Sequence, residues 1–128
     1  MHIAIVEQID NVLVPAVRTL RDTFDEKARA FDDIVMVGRT HLQDATPVTL
    51  GQVISGWATQ LEQALEPLRR VVPLVCELAI GGTAVGTGLN APKRFGEVTA
   101  RRIAAATGKP FVAAENKFAA LSAHDAVV

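Results

Sequence analysis

The chain has 128 residues, 13 basic against 14 acidic for a formal net charge of −1, with 49% hydrophobic and 5% aromatic residues. That length fits one domain with a core of its own, the balanced charge leaves no electrostatic footprint for nucleic acid or an anionic membrane surface, and the apolar residues are interrupted too often for a membrane span. The single cysteine, Cys76, excludes an intrachain disulfide, has no Cys or His at metal-ligand spacing and reads as a small buried hydrophobe; with no signal-peptide pattern, a cytoplasmic setting without metal or cofactor is expected.

Over residues 3–31, Val6, Ile9, Leu13, Val17, Leu20, Phe24, Ala28 and Phe31 fall at alternating steps of three and four, the stripe of an amphipathic helix. Pro15 inside it lacks a backbone donor and crowds the preceding turn, which predicts a kink or break near Val14. Residues 31–36 end in an apolar run open to an extended conformation, and Gly38 turns into the polar stretch at 37–51. There Thr40 places a hydroxyl beside the imidazole of His41, a group that works as general acid or base near neutrality. The competing reading is a helix-to-helix loop whose polar side chains face water. Thr46-Pro47 offers a cap with proline at the first helical position, and Thr49 to Gln52 matches a capping box, so a second helix begins within these residues.

That helix carries the clearest periodicity: Leu50, Ile54, Trp57, Leu61, Leu65, Leu68, Val72, Val75 and Leu78. At 1.5 Å per residue it is expected to run for ~45 Å over residues 48–79, with bends at Pro67 and Pro73 and with Gly51 and Gly56 open to close backbone approach. Its stripe demands partners, so self-association is expected. Residues 81–90 then bring four glycines, which call for positive φ or close approach. No phosphate-loop lysine and no third dinucleotide-motif glycine is present. Two readings stay open: a helix cap with a tight turn, or a pocket wall in which Thr83, Thr87 and Asn90 face a carboxylate. Residues 95–107 read as a short helix with an apolar face of Phe95, Val98, Ile103 and Ala106, closed by Gly108 and Pro110; residues 111–114 read as a connector. Asn116 is expected to cap a last helix carrying Phe118, Leu121, Ala126 and Val128. Neither end of the chain carries a clear helix signal, so residues 1–128 are expected to be a single partial domain of a longer protein.

Taken together, Gly38-Arg39-Thr40-His41-Leu42-Gln43-Asp44-Ala45-Thr46-Pro47-Val48-Thr49-Leu50-Gly51-Gln52 and Gly81-Gly82-Thr83-Ala84-Val85-Gly86-Thr87-Gly88-Leu89-Asn90 resemble the class II fumarases of the fumarase/aspartase superfamily, and Asn116-Lys117-Phe118 also fits. The resemblance covers essentially the whole chain. Aspartate ammonia-lyase is similar over both motifs but has Gln where this chain has His41, and it lacks the Asn-Lys-Phe triplet. The resemblance implies an all-α long-helix bundle, the first part of a central helical domain, without the N-terminal domain and the later part of that domain. It implies reversible anti hydration of fumarate to L-malate in a homotetramer whose active sites each draw on three subunits. By the same resemblance, Thr40 binds a substrate carboxylate and His41 is the acid/base group. The family's Gly-Ser-Ser-x-Met-Pro-x-Lys-x-Asn loop has no match, since Met occurs only at positions 1 and 36 and neither precedes Pro. The alternatives are a related superfamily lyase such as aspartate ammonia-lyase, or a non-catalytic helical oligomerisation module.

Overall fold

A computed structural model describes all 128 residues. In chain order these form α1 (His2–Gln8), a π-helical turn (Ile9–Leu13), α2 (Val14–Ala30), β1 (Val35–Thr40), β2 (Gln43–Thr49) and α3 (Leu50–Val75). There follow β3 (Glu77–Leu78), α4 (Phe95–Thr107), β4 (Val112–Ala113), α5 (Lys117–Ser122) and a 3-10 turn (Asp125–Val127). The chain is mainly helical, as expected, and its strands make only two two-stranded ladders. No helix is long and apolar enough to cross a membrane. Contacts divide the chain into two compact units, one of Asp10–Pro67 and the other of Met1–Ile9 with Leu68–Val128.

The kink or break expected near Val14 takes the form of a π-helical turn, and the backbone stays helical on both sides of it. Pro15 sits in the first turn of α2, where its missing N–H is least costly, and the π-helical turn just before it widens the backbone where the proline ring would crowd the Asn11 carbonyl. Within the Asp10–Pro67 unit, α2 and the first half of α3 pack antiparallel. Arg21 donates to Glu62 at 2.5 Å, the Phe24 and Trp57 rings lie 5.9 Å apart, and the Gly51 N–H donates to the Phe31 carbonyl at 3.0 Å. Partner numbers fall along α3 as they rise along α2. Ile54 and Leu65 of the expected stripe are buried, but between them it is Ala58 that is buried, while Trp57 of the stripe is 47% exposed. Gly51 lies against backbone of Ala28 and Asp32, the close approach expected there, whereas Gly56 has nothing near it.

The polar stretch is not a loop between helices but a β-hairpin. β1 pairs antiparallel with β2 from Val35↔Thr49 to Thr40↔Gln43, with an irregularity between Val37 and Arg39. Pro47 is therefore a strand residue, not the first residue of a helix; a proline fits there because this two-stranded ribbon has only edges. The helix starts at Leu50, behind the capping box: Thr49 Oγ1 accepts from the Gln52 N–H and Gln52 Oε1 from the Thr49 N–H, both at 3.0 Å.

In the other unit, Val6, Val75, Cys76 and Phe111 form a buried core flanked by Ile5, Val71, Val72, Leu78, Ile103 and Ala104. The α3 helix runs through Pro67 and Pro73 but ends at Val75, not near residue 79. The released backbone is taken up elsewhere: the Val75 carbonyl accepts from His2 Nδ1 at 2.7 Å, and the Cys76 carbonyl from the Val112 N–H at 3.1 Å. The Ala114 N–H donates to the Leu78 carbonyl at 2.8 Å, so β3 and β4 pair in parallel and the expected connector is a short strand. Helix α4 has the expected bounds and its Gly108 cap in the left-handed region, φ 68°. Its buried face is corrected: Gly96 and Ala100 are buried with Ile103 and Ala104 half-buried, while Phe95 and Val98 are exposed. Gly96 lies against the Ile80 carbonyl, a contact between main chains, while Ile103 and Ala104 pack against the core. Asn116 caps α5 through a 3.1 Å bond from the Ala119 N–H, but that helix stops at Ser122.

Candidate active site

Thr40 and His41 stand at the tip of the β1–β2 hairpin. Thr40 pairs with Gln43, which leaves His41 and Leu42 as a two-residue turn with φ of 51° and 60°. Two positive φ values are what a tight hairpin turn needs to match strand twist, and Asn-Gly is the usual supplier. Here a histidine and a leucine fill both places, at a cost of about 1–2 kcal/mol each in the left-handed region. Thr40 and His41 are exposed, and Leu42 is 99% exposed. A hairpin selected for stability alone would place Gly or Asn here. The strained turn instead holds the His41 imidazole next to the hydroxyl of Thr40, the last residue of its strand in the ladder, with both side chains exposed.

The glycine-rich segment lies in the other unit. Gly81, Thr83, Gly86, Gly88 and Asn90 all have positive φ, and the Gly82 carbonyl accepts from the N–H groups of Gly86 at 2.9 Å and Gly88 at 3.0 Å. A side chain at Gly86 would meet the Phe118 ring and backbone. Of the three polar residues in this segment, Thr87 lines a cleft of about 810 Å³, together with Lys93, Arg94, Glu97, Asn116 and Lys117. Thr83 directs its hydroxyl at the Gly82 carbonyl, 2.7 Å away, and neither Thr83 nor Asn90 lines the cleft. The structure thus sets Thr40 beside His41 in one unit and Thr87 among basic residues in the other. Lys93, Arg94 and Lys117 were not singled out as site residues by their sequence, although the adjacent Lys93-Arg94 pair ahead of a helix was a visible sign. Arg94, bonded to Glu97 at 2.9 Å, holds that carboxyl below the usual carboxylate range, with smaller help from Arg101 and Lys117.

A family model described as lyase matches residues 1–128. Class II fumarate hydratases of Thermus aquaticus and Nitrosomonas europaea are 57% and 56% identical to the chain over all 128 residues. The chain spans 28% of the length of each. Among solved structures, a class II fumarase from Schistosoma mansoni superposes with a TM-score of 0.92 at 37% identity, covering 99% of this chain and 30% of that one. A fumarate lyase:delta crystallin from Brucella melitensis gives 0.90 at 32%, covering 98% and 27%. With one family model spanning its whole length and relatives above 50% identity along all of it, the chain belongs to the lyase family.

Proposed function

We propose that the chain is a segment of a class II fumarate hydratase, catalysing the reversible anti addition of water to fumarate to give L-malate. The observation that carries this is the hairpin tip, where Thr40 closes the ladder beside His41, which is held in an unfavourable backbone geometry, and both are exposed, within a chain more than half identical to named fumarate hydratases. In this reading the Thr40 hydroxyl donates to a carboxylate of the substrate. His41 is the acid/base partner that handles the hydroxyl or the water. Removing a proton next to a carboxylate creates a high-energy carbanion, so the complete site needs further preorganised donors for the aci-carboxylate. No Ser-Ser-x-Met-Pro-x-Lys pattern lies within these 128 residues, so those donors come from outside the segment. Thr83, Thr87 and Asn90 are the candidate pocket-wall residues within their own unit, with Thr87 the one lining a cleft there.

The working assembly in this proposal is a homotetramer in the cytoplasm, whose sites are shared between subunits. The exposed apolar side chains Val12 and Leu13 on the π-helical turn and Leu20 and Trp57 on the long helices supply surface for such an assembly. The test is to follow loss of fumarate absorbance with the purified 128-residue chain and with the full-length protein that carries it, and to assay ammonia release from L-aspartate in parallel. Hydration by the full-length protein, near-background rates from the segment and no ammonia are expected. Ammonia release without hydration would make it an aspartate ammonia-lyase, and neither activity would leave an assembly module.

A further inference from the structure

The tip of the hairpin is joined to the rest of its ladder by very little. The register is irregular between Val37 and Arg39, at Gly38, where an added side chain would meet the Thr46 carbonyl at 2.7 Å. Beyond that irregularity only two residue pairs remain, Arg39↔Asp44 and Thr40↔Gln43, before the strained His41-Leu42 turn. Side chains link the two strands there through one charged contact, Arg39 Nε to Asp44 Oδ1 at 3.2 Å. Both partners are well exposed, at 68% and 75%, so the pair adds little to global stability. Its place is what matters. It lies one residue pair from a turn whose left-handed residues favour relaxing to other conformations, and it ties the two strand ends that must stay in register for the turn to persist.

We propose that Arg39 and Asp44 are positioning residues: their cross-strand ion pair clamps the hairpin tip and keeps His41 in the left-handed geometry from which it acts. The clamp itself is a statement about the hairpin, while its effect on turnover rests on the fumarate hydratase reading above. An exposed pair of this strength shifts a local equilibrium about two- to fivefold when one partner is neutralised.

Three variants test it: Asp44→Asn, Arg39→Gln, and the charge swap combining Arg39→Asp with Asp44→Arg. In the 128-residue chain, NMR reads the short intraresidue distance between amide and Hα protons that marks positive φ at His41 and Leu42. Each single variant is expected to weaken that signature, the swap to restore it, and the melting temperature to stay unchanged in all three. In the full-length protein, kcat/KM for fumarate is expected to fall about two- to fivefold in the single variants and to recover in the swap. Unchanged tip geometry in the single variants, or a swap as impaired as either of them, overturns the clamp. A melting temperature that falls in step with the lost signature also overturns it, because the pair then acts on the fold as a whole. If the full-length protein fails to hydrate fumarate, the functional reading falls, and the NMR result still decides the clamp.

Discussion

Gly51 and Gly56 lie on the same helix, five residues apart, and the structure predicts opposite outcomes when each becomes alanine. At Gly56 a methyl group meets nothing within 4 Å, so the substitution removes backbone freedom from the unfolded chain without a clash. Alanine there should add about 0.5–1 kcal/mol of stability. At Gly51 the same methyl group would stand 2.7 Å from Asp32 Cα and 2.9 Å from Asp32 N, and closer still to the Ala28 carbonyl. Ordinary carbon contacts are about 3.5–4.0 Å, so main chain must move by close to 1 Å. That main chain is held, since the Gly51 and Leu50 N–H groups donate to the Phe31 and Ile34 carbonyls at 3.0 and 2.9 Å. Overpacking of this kind costs about 1–3 kcal/mol, which outweighs the propensity gain. A separation of about 2 kcal/mol between the two variants is expected, roughly 30-fold in the folding equilibrium. Urea unfolding followed by far-ultraviolet circular dichroism, at one protein concentration and with unchanged slope, measures it through the midpoints. Equal midpoints, or a raised midpoint for Gly51→Ala, would refute the close helix approach.

Replacing Thr49 by Ala removes the acceptor for the Gln52 N–H and is expected to cost about 1 kcal/mol in the same unfolding assay. Glu97, held below the ordinary carboxylate range by Arg94, binds its proton more weakly folded than unfolded. Its contribution to stability is therefore present above the unfolded pKa and lost as the pH falls through the folded value; NMR titration should place the folded value lower, and an ordinary value would contradict the Arg94 pairing. Sedimentation at tens of micromolar is expected to show self-association of the segment, given the exposure of Val12, Leu13, Leu20 and Trp57; a single monomeric species would count against it.

What sequence revealed best was local chemistry written in a few adjacent residues. The Thr49 and Gln52 capping box, the Asn116 cap, the Gly108 stop and the disturbance before Pro15 all depend on neighbours within one helical turn. The hairpin was hidden because its turn is His-Leu, not Asn-Gly, and because Val35, Met36 and Val37 do not alternate with polar residues. Pairing of β3 with β4 joins residues 35 positions apart over two residues each, and no periodicity encodes so short a ladder. The α4 face differs for another reason: hydrophobic spacing points to Phe95 and Val98, but the buried positions are Gly96 and Ala100, and at Gly96 the close approach of the Ile80 carbonyl leaves no room for a side chain. Residue types singled out Thr40 and His41 together as a candidate pair, and only the family resemblance gave them roles. Sequence order gave no sign that Arg39 and Asp44, five residues apart, face each other across strands.

The most direct measurement is the turnover of fumarate by the full-length protein with His41 replaced by Asn, compared at neutral pH with the unaltered protein. Asparagine keeps a polar side chain at the hairpin tip but cannot exchange a proton near neutrality. General acid-base assistance contributes about 10²- to 10⁴-fold, and groups that act as a unit lose most of their effect when one is missing. The account predicts a fall of that size in kcat with the fold intact by circular dichroism. A variant that turns over fumarate at the unaltered rate would contradict it, and would return His41 to an exposed residue in a strained turn.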